Sequence, residues 1–213
     1  LAGPDGLASV ASPVTEGVQL PASHSVRPFE STDVPALTAA LRDAHATDGY
    51  PVEGVAQPDG WIGSPGVRRA WVAELNGQVV GHVALMDADG EDASRIWREQ
   101  QDDDRDRLLA LGRLFVTRDA RGRSLGEALA RTAMEAARGA SHRLVLDVMV
   151  KDQAAIRLYE RLGWRRIGEA IHHHGDGLTT PAACYTWPAP PSGPSRIAPD
   201  RTVTTDSRTD PVT

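Results

Sequence analysis

Apolar residues change their spacing abruptly in the middle of the chain. Leu111, Leu114, Phe115 and Val116 make a short run with the aromatic and β-branched character of a strand. From Leu125 onward the apolar positions Leu125, Ala128, Leu129, Ala133 and Ala136 fall three and four residues apart, the spacing of one helical face. Between them, residues 117–124 hold three arginines and Gly122, so a strand, a tight basic turn and a helix follow one another. The helix is predicted to run to Arg138 and stop at Gly139.

The same reading organises the flanks. Residues 70–75 and 79–85 are apolar strands around Asn76-Gly77, a dipeptide suited to a two-residue hairpin turn. Upstream, residues 26–29 read as a first strand with Pro28 at an edge, and Val34, Leu37, Leu41 and Ala44 as a helical stripe entered through Thr32, Asp33 and Pro35 and ended before Gly49. Residues 50–69 carry four glycines and three prolines and are expected to be a loop or broken helix. Residues 86–108 form a charged insertion that includes Asp102, Asp103 and Asp104 and a short helix near 93–101 bearing Ile96 and Trp97. A solvated charged loop is the reading preferred for it, with a lid, a subunit contact or an acidic lip left open.

Downstream, residues 144–148 are an apolar strand placed parallel to 111–116, because the helix between them makes a crossover connection. A helix over 153–162 closed by Gly163 follows, then strands beginning at Trp164 and ending at Trp187. Residues 1–25 and 188–213 are dominated by small residues, Pro, Ser, Thr and charges without a period, and are expected to be disordered; 1–25 lacks the basic start and apolar core of a signal peptide. One domain over 26–187, with 87–108 as its insertion, is the expected organisation of the 213 residues.

Composition narrows the partners. A net charge of −6 argues against broad nucleic-acid binding, which needs a basic face. The single Cys184 excludes an intrachain disulfide and has no activating partner in view, and no apolar run approaches the ~20 residues of a membrane span. A cytoplasmic setting is the default expectation.

The chemistry starts at the basic turn. Unpaired backbone N–H groups at a helix start converge on a negative group, Gly122 and Gly126 let a phosphate chain approach the backbone, and Arg121 and Arg123 add charge. Some thirty residues on stands Asp152-Gln153-Ala154-Ala155-Ile156-Arg157-Leu158-Tyr159-Glu160-Arg161-Leu162-Gly163-Trp164. Together, RGRSLG at 121–126 and this run resemble the GCN5-related N-acetyltransferase (GNAT) family, and the resemblance extends over residues 26–187.

The resemblance implies an α/β (α+β) fold: a mixed, mostly antiparallel central sheet with splayed parallel strands in its middle, flanked by helices. It implies acetyl-CoA as donor, its pantetheine arm against Leu114, Phe115 and Val116, its phosphates at Arg121, Gly122, Arg123, Ser124, Leu125 and Gly126, with Asp152, Ala155 and Tyr159 beside it. Tyr159 would protonate the departing thiolate; a phenol with an ordinary pKa of ~10 keeps its proton at neutral pH. Two positions depart from the family pattern: Ser124 replaces the middle glycine, and Asp152 stands where asparagine is common. The strand position that carries a basic glutamate in some members reads Leu109-Ala110-Leu111 here, so the base is open among Glu53, His82, Asp147 and a water chain, with His82 preferred because the hairpin faces the cleft.

Tyr50, Glu53 and Trp61, with Asp48, are the candidates to meet the acceptor, a primary amine of a small molecule or peptide. His172, His173 and His174 alternate faces along a strand and cannot easily converge on one ion, so no metal is expected, though one of them could face the acceptor. A catalytically weak acyl-CoA-binding sensor or partner module is the alternative function. A Rossmann nucleotide site lacks its GxGxxG near the N-terminus. A homodimer is left open.

Overall fold

The structure, a computed structural model, describes residues 23–100, 107–175 and 177–187. The tails expected to be disordered lie outside these residues except for 23–25, and so do Asp102, Asp103 and Asp104.

Seven strands form one sheet: β1 (His24–Pro28), β2 (Val67–Leu75), β3 (Gln78–Asp87), β4 (Leu108–Val116), β5 (Arg143–Met149), β6 (Arg165–His174) and β7 (Leu178–Trp187), in the order β1-β2-β3-β4-β5-β7-β6. The β2–β3 hairpin turns through Asn76 and Gly77, both with positive φ (52° and 77°), which only a turn of this chemistry holds cheaply. The first strand begins at His24, two residues before its predicted start, because Ser25 and Arg27 both bond Glu74 across the sheet edge.

Every neighbouring pair is antiparallel except β4 and β5, which run parallel and pair only over Leu108–Ala110 against Arg143–Val145. Beyond that point the two strands part. Their connection is α4 (Leu125–Gly139), the predicted crossover helix, which buries Leu125, Leu129, Ala130, Ala133, Met134 and Ala137 against one sheet face. α5 (Gln153–Arg161) joins the same layer, its Tyr159 in one cluster with Leu129, Leu146 and Trp164. On the other face α1 (Val34–Asp48) buries Leu37, Ala40, Leu41 and Ala44 in a cluster with Ile62 of α2 (Pro58–Ile62), Val72 and Phe115. α1 ends where predicted, at Gly49 with φ 65°.

The charged insertion is not a solvated loop over its described length. Residues Asp92–Gln100 form α3, whose Ala93 and Trp97 are 0% and 3% exposed in a cluster with Val145 and Cys184, while Ile96 packs toward Gly168. The acidic and basic residues occupy one side of this helix and the sparse apolar ones the other, so few apolar residues suffice to dock it. Among the described residues no helix is long and apolar enough to cross a membrane.

Candidate active site

The parting of β4 and β5 opens a cleft of about 850 Å³ through the middle of the sheet. Leu114, Phe115 and Val116 line it from β4, Asp147 and Val148 from β5, Arg121, Gly122, Ser124, Leu125 and Gly126 from the turn, and Asp152, Ala155 and Tyr159 from the α5 side. Tyr50 closes the α1 side. The sequence candidates Arg123, His82, Glu53 and Trp61 do not line it.

The turn at one end of the cleft holds two left-handed residues just ahead of α4. Gly122 and Ser124 both take positive φ (73° and 58°), so serine replaces the family glycine while keeping a left-handed backbone. No side chain caps α4 at Ser124, and the first helical bond is Ala128 N–H to Ser124 carbonyl at 2.9 Å. The N–H groups of Leu125, Gly126 and Glu127 precede that bond and stand at the positive end of the helix, where an anion is favoured. A β-carbon at Gly126 would meet only the Val116 and Leu158 side chains, at 3.8 and 4.0 Å, so the backbone there is open to close approach.

Two cations stand beside this turn with carboxylates already on them. Arg121 donates to the Val116 carbonyl at 3.1 Å and makes a two-armed ion pair with Asp48, one arm at 3.1 Å. Lys151 donates to the Asp48 carbonyl at 3.1 Å and to the Asp152 carboxylate at 2.8 Å. Asp48, a sequence candidate for the acceptor pocket, therefore sits beside this turn. The donors, open backbone and cations fit a pyrophosphate.

Tyr159 is 5% exposed, packs edge-on to Trp164 at 5.7 Å, and has Ala155 one turn below it. Burial pushes its hydroxyl further above the ordinary phenol range, so it carries its proton at any pH at which the protein works.

His82 lies outside the cleft, contrary to its expected place. It is fully buried between Phe29 and Phe115 (ring centroids 6.2 and 5.7 Å), and its Nδ1–H donates to the Arg113 carbonyl at 3.0 Å while Nε2 has no partner. Burial pushes it down to about 4, so it is neutral. Its alternation on the hairpin points it into the α1 layer, not toward the cleft. What it holds is a bulge: between the pairs Gly112–Ala84 and Phe115–His82, β4 carries one more residue than β3, and Arg113 takes φ 56°.

From that bulge the Arg113 guanidinium reaches the carbonyls of Trp61 and Ile62, the latter at 3.3 Å, and Ser64 Oγ at 2.8 Å, with Trp61 stacked beneath it at 4.9 Å. Trp61 in turn braces Tyr50 edge-on at 5.9 Å. Trp61 is thus a support for the wall residue Tyr50. Glu53 pairs with His172 Nε2 at 2.7 Å, His174 bonds Thr180, and among the described residues no group of three His, Cys, Asp or Glu side chains is placed to hold a metal. Burial pushes the Cys184 thiol up, which leaves it unreactive.

Asp147 receives the backbone N–H groups of Asp92 and Ala93 at 3.0 and 2.9 Å, so a β5 side chain caps α3. Just ahead of that helix, burial and then the nearby Asp147 charge push Glu91 up to about 7. Neither Glu91 nor Arg113 nor Lys151 stands in a motif, and no local pattern in the sequence marks them.

This cleft suits a long ligand with an anionic end, laid across the sheet toward a buried proton donor. A model of the acetyltransferase (GNAT) family matches residues 36–164, and the chain belongs to that family. Mouse (Mus musculus) N-acetyltransferase 8F1 is 32% identical over 123 residues, 56% of this chain and 50% of that protein. N-acetylaspartate synthetase of Danio rerio is 34% identical over 110 residues, 51% of this chain and 34% of that protein. The chain thus matches half or less of the length of these relatives. In fold it is similar to an N-acetyltransferase from Staphylococcus aureus Mu50 (TM-score 0.59, 17% identity, 78% of this chain and 98% of that one). It is also similar to the ribosomal-protein-S18-alanine N-acetyltransferase from Escherichia coli (TM-score 0.60, 18% identity, 80% and 97%) and to Salmonella typhimurium yncA, solved with its cofactor acetyl-CoA (TM-score 0.61, 15% identity, 83% and 99%).

Proposed function

We propose that the chain is an acetyl-CoA-dependent N-acetyltransferase that acts by direct attack of a primary amine, carried on a small molecule or a peptide. The observation that carries this reading is a single cleft with an uncapped, left-handed turn at one end and a buried, protonated Tyr159 in its wall. The names of the relatives, N-acetyltransferase 8F1 and N-acetylaspartate synthetase, support acetyl transfer.

Acetyl-CoA bound here supplies an activated thioester. The N–H groups opening α4, with Arg121 beside them, would hold its phosphates, and the parted edge of β4 at Leu114, Phe115 and Val116 would accept the pantetheine arm. Arg121 exchanges the Asp48 carboxylate for phosphate as it does so. Tyr159 Oη holds the proton that the departing sulfur needs. The acceptor enters past Tyr50, whose ring is fixed by Trp61 and, through it, by Arg113.

Release of free coenzyme A thiol, followed across a panel of free amino acids, spermidine and short peptides, tests the reading, with calorimetric titration of acetyl-CoA alongside. Amine-dependent release is expected, and Tyr159→Phe should slow it about 100-fold while leaving acetyl-CoA affinity within about threefold. Tight binding with no release by any acceptor would reject the enzyme in favour of an acyl-CoA sensor.

A further inference from the structure

We propose that the acceptor amine carries a carboxylate close to its nitrogen, as a free amino acid does, and that Arg113 is the residue that binds this carboxylate. The proposal names a substrate class within the transferase reading above and rests on that reading.

The charges along the cleft single out Arg113. Among the described residues four cationic side chains line it: Arg113, Arg121, Lys151 and Arg161. Three of them are already paired, Arg121 with Asp48, Lys151 with Asp152 at 2.8 Å and Arg161 with Glu127 at 3.1 Å. Arg113 makes no ion pair among the described residues. Its partners are neutral: Nη1 donates to the Trp61 and Ile62 carbonyls and Nη2 to Ser64 Oγ, with the Trp61 ring against its face. Glu91 and Glu53 act on it through space, without a hydrogen bond. A guanidinium has five N–H groups, so Nε–H and one N–H of Nη2 are left to donate. A half-buried cation without a counter-charge carries a desolvation cost, and burial does pull this one below the ordinary arginine range. A carboxylate arriving at the cleft wall offsets that cost, and its two oxygens suit the two spare donors of a planar group.

The position fits the reaction. The bulge in β4 sets Arg113 at φ 56° and turns it toward residues 61–64. It precedes Leu114, and running from the anion turn at 121–126 back through Val116 to Leu114 leads away from the phosphate end of the donor and toward its thioester. Across the gap Asp147 lines the cleft from β5, both its oxygens fixed by N–H groups of α3. Opposite charges on the two walls orient a zwitterion, with its carboxylate toward β4 and its ammonium toward β5. A peptide N-terminus offers a neutral amide in place of that carboxylate, and a polyamine offers a second cation, which Arg113 repels.

The test compares amino acids with their carboxamides, glycine with glycinamide and leucine with leucinamide first, by kcat/KM for the acceptor in the wild type, Arg113→Gln and Arg113→Lys. Rates are expressed per unprotonated amine, because the amide has the less basic nitrogen. The wild type should favour the acid by about 10–100-fold, the range of a charge-assisted hydrogen bond. Arg113→Gln should bring acid and amide to within about threefold of each other, since glutamine keeps a donor and loses the charge. Arg113→Lys should keep part of the preference, having the charge without the planar fork. Any cost of losing the bonds to residues 61–64 falls on acid and amide alike, so the ratio reads the carboxylate contact and not the brace. Calorimetric affinity for acetyl-CoA within about threefold of the parent shows that a variant is folded, and the wild-type ratio decides alone should Arg113→Gln not fold. A wild type that takes the amides, spermidine or peptides as readily as the acids overturns the proposal and leaves the transferase reading standing, and so does a preference that survives Arg113→Gln. A wild type that binds acetyl-CoA but acetylates nothing overturns both.

Discussion

Replacing Ser124 with glycine separates the backbone of the anion turn from its one unusual side chain. Ser124 holds φ 58° and ψ 14°, a left-handed conformation that costs an L-residue about 1–2 kcal/mol and glycine nothing. Its hydroxyl makes no capping bond, so truncation forfeits no helix cap. Against the relief stands the greater freedom of glycine in the unfolded chain, about 0.4–1 kcal/mol. The balance is a stabilisation of about 0.5–1 kcal/mol, or roughly 1–4 °C in Tm for a domain of this size. Ser124→Ala keeps the strained φ and removes only the hydroxyl, and should stay within about 0.5 kcal/mol of the parent. Thermal and urea unfolding read these differences, and calorimetry with acetyl-CoA reads the site: a cradle made of N–H groups should hold affinity within about threefold in both variants. A lower Tm for Ser124→Gly would refute the strain assigned to the turn. A tenfold loss of affinity in Ser124→Ala would make the hydroxyl, not the backbone, the principal phosphate contact.

Two further perturbations follow. Asp48→Asn removes the carboxylate paired with Arg121; because both partners are more than a third exposed, stability should change by less than about 1 kcal/mol, whereas acetyl-CoA should bind about 3–10-fold more tightly by calorimetry, and unchanged or weaker binding would mean the pair does not compete with phosphate. Asp33 is buried and receives two bonds from Arg27, at 2.8 and 2.7 Å, and one from the Glu30 N–H; the Arg27 hydrogen bond holds its carboxyl below the usual range. A depressed folded pKa adds stability above the ordinary carboxylate pKa of ~4 that is lost as pH falls through the folded value, so Asp33→Asn should cost about 1–2 kcal/mol at pH 7 and progressively less in urea titrations repeated toward pH 3; an undiminished cost at pH 3 would show that charge is not the cause.

The parts of the fold that could be read ahead are those where local chemistry and period agree. Asn76-Gly77 names its own turn, the spacing from Leu125 to Ala136 names its helix, and Gly49 its stop. Gly122, Ser124 and Gly126 could be placed at the start of α4 because that turn is contiguous in sequence. The wall on the Tyr50 side was not legible, because it is assembled from unrelated segments: Arg113 reads as one more strand residue until the bulge turns it toward Trp61 and Ser64. The short helix expected near 93–101 is there as α3, but its docking was hidden by composition, since a helix carrying so many charges has only Ala93, Ile96 and Trp97 to signal a buried side. His82 misled because period alone gives two faces of a strand and does not say which one meets the cleft.

The three-residue ladder between β4 and β5 makes the middle of the sheet its softest line. On one side stand β1 to β4, on the other β5 to β7, and past Ala110 and Val145 the facing edges of the two halves carry no ladder between them. Amides on those inner edges, within 111–116 and 146–149, should exchange with deuterated solvent well ahead of those in the β2–β3 hairpin. A ligand that fills the gap restores the missing continuity, and by mass action adds about 2.7 kcal/mol at a hundredfold excess over its Kd. Slowed exchange along that seam therefore reports occupancy directly, with no acceptor identified and no turnover required.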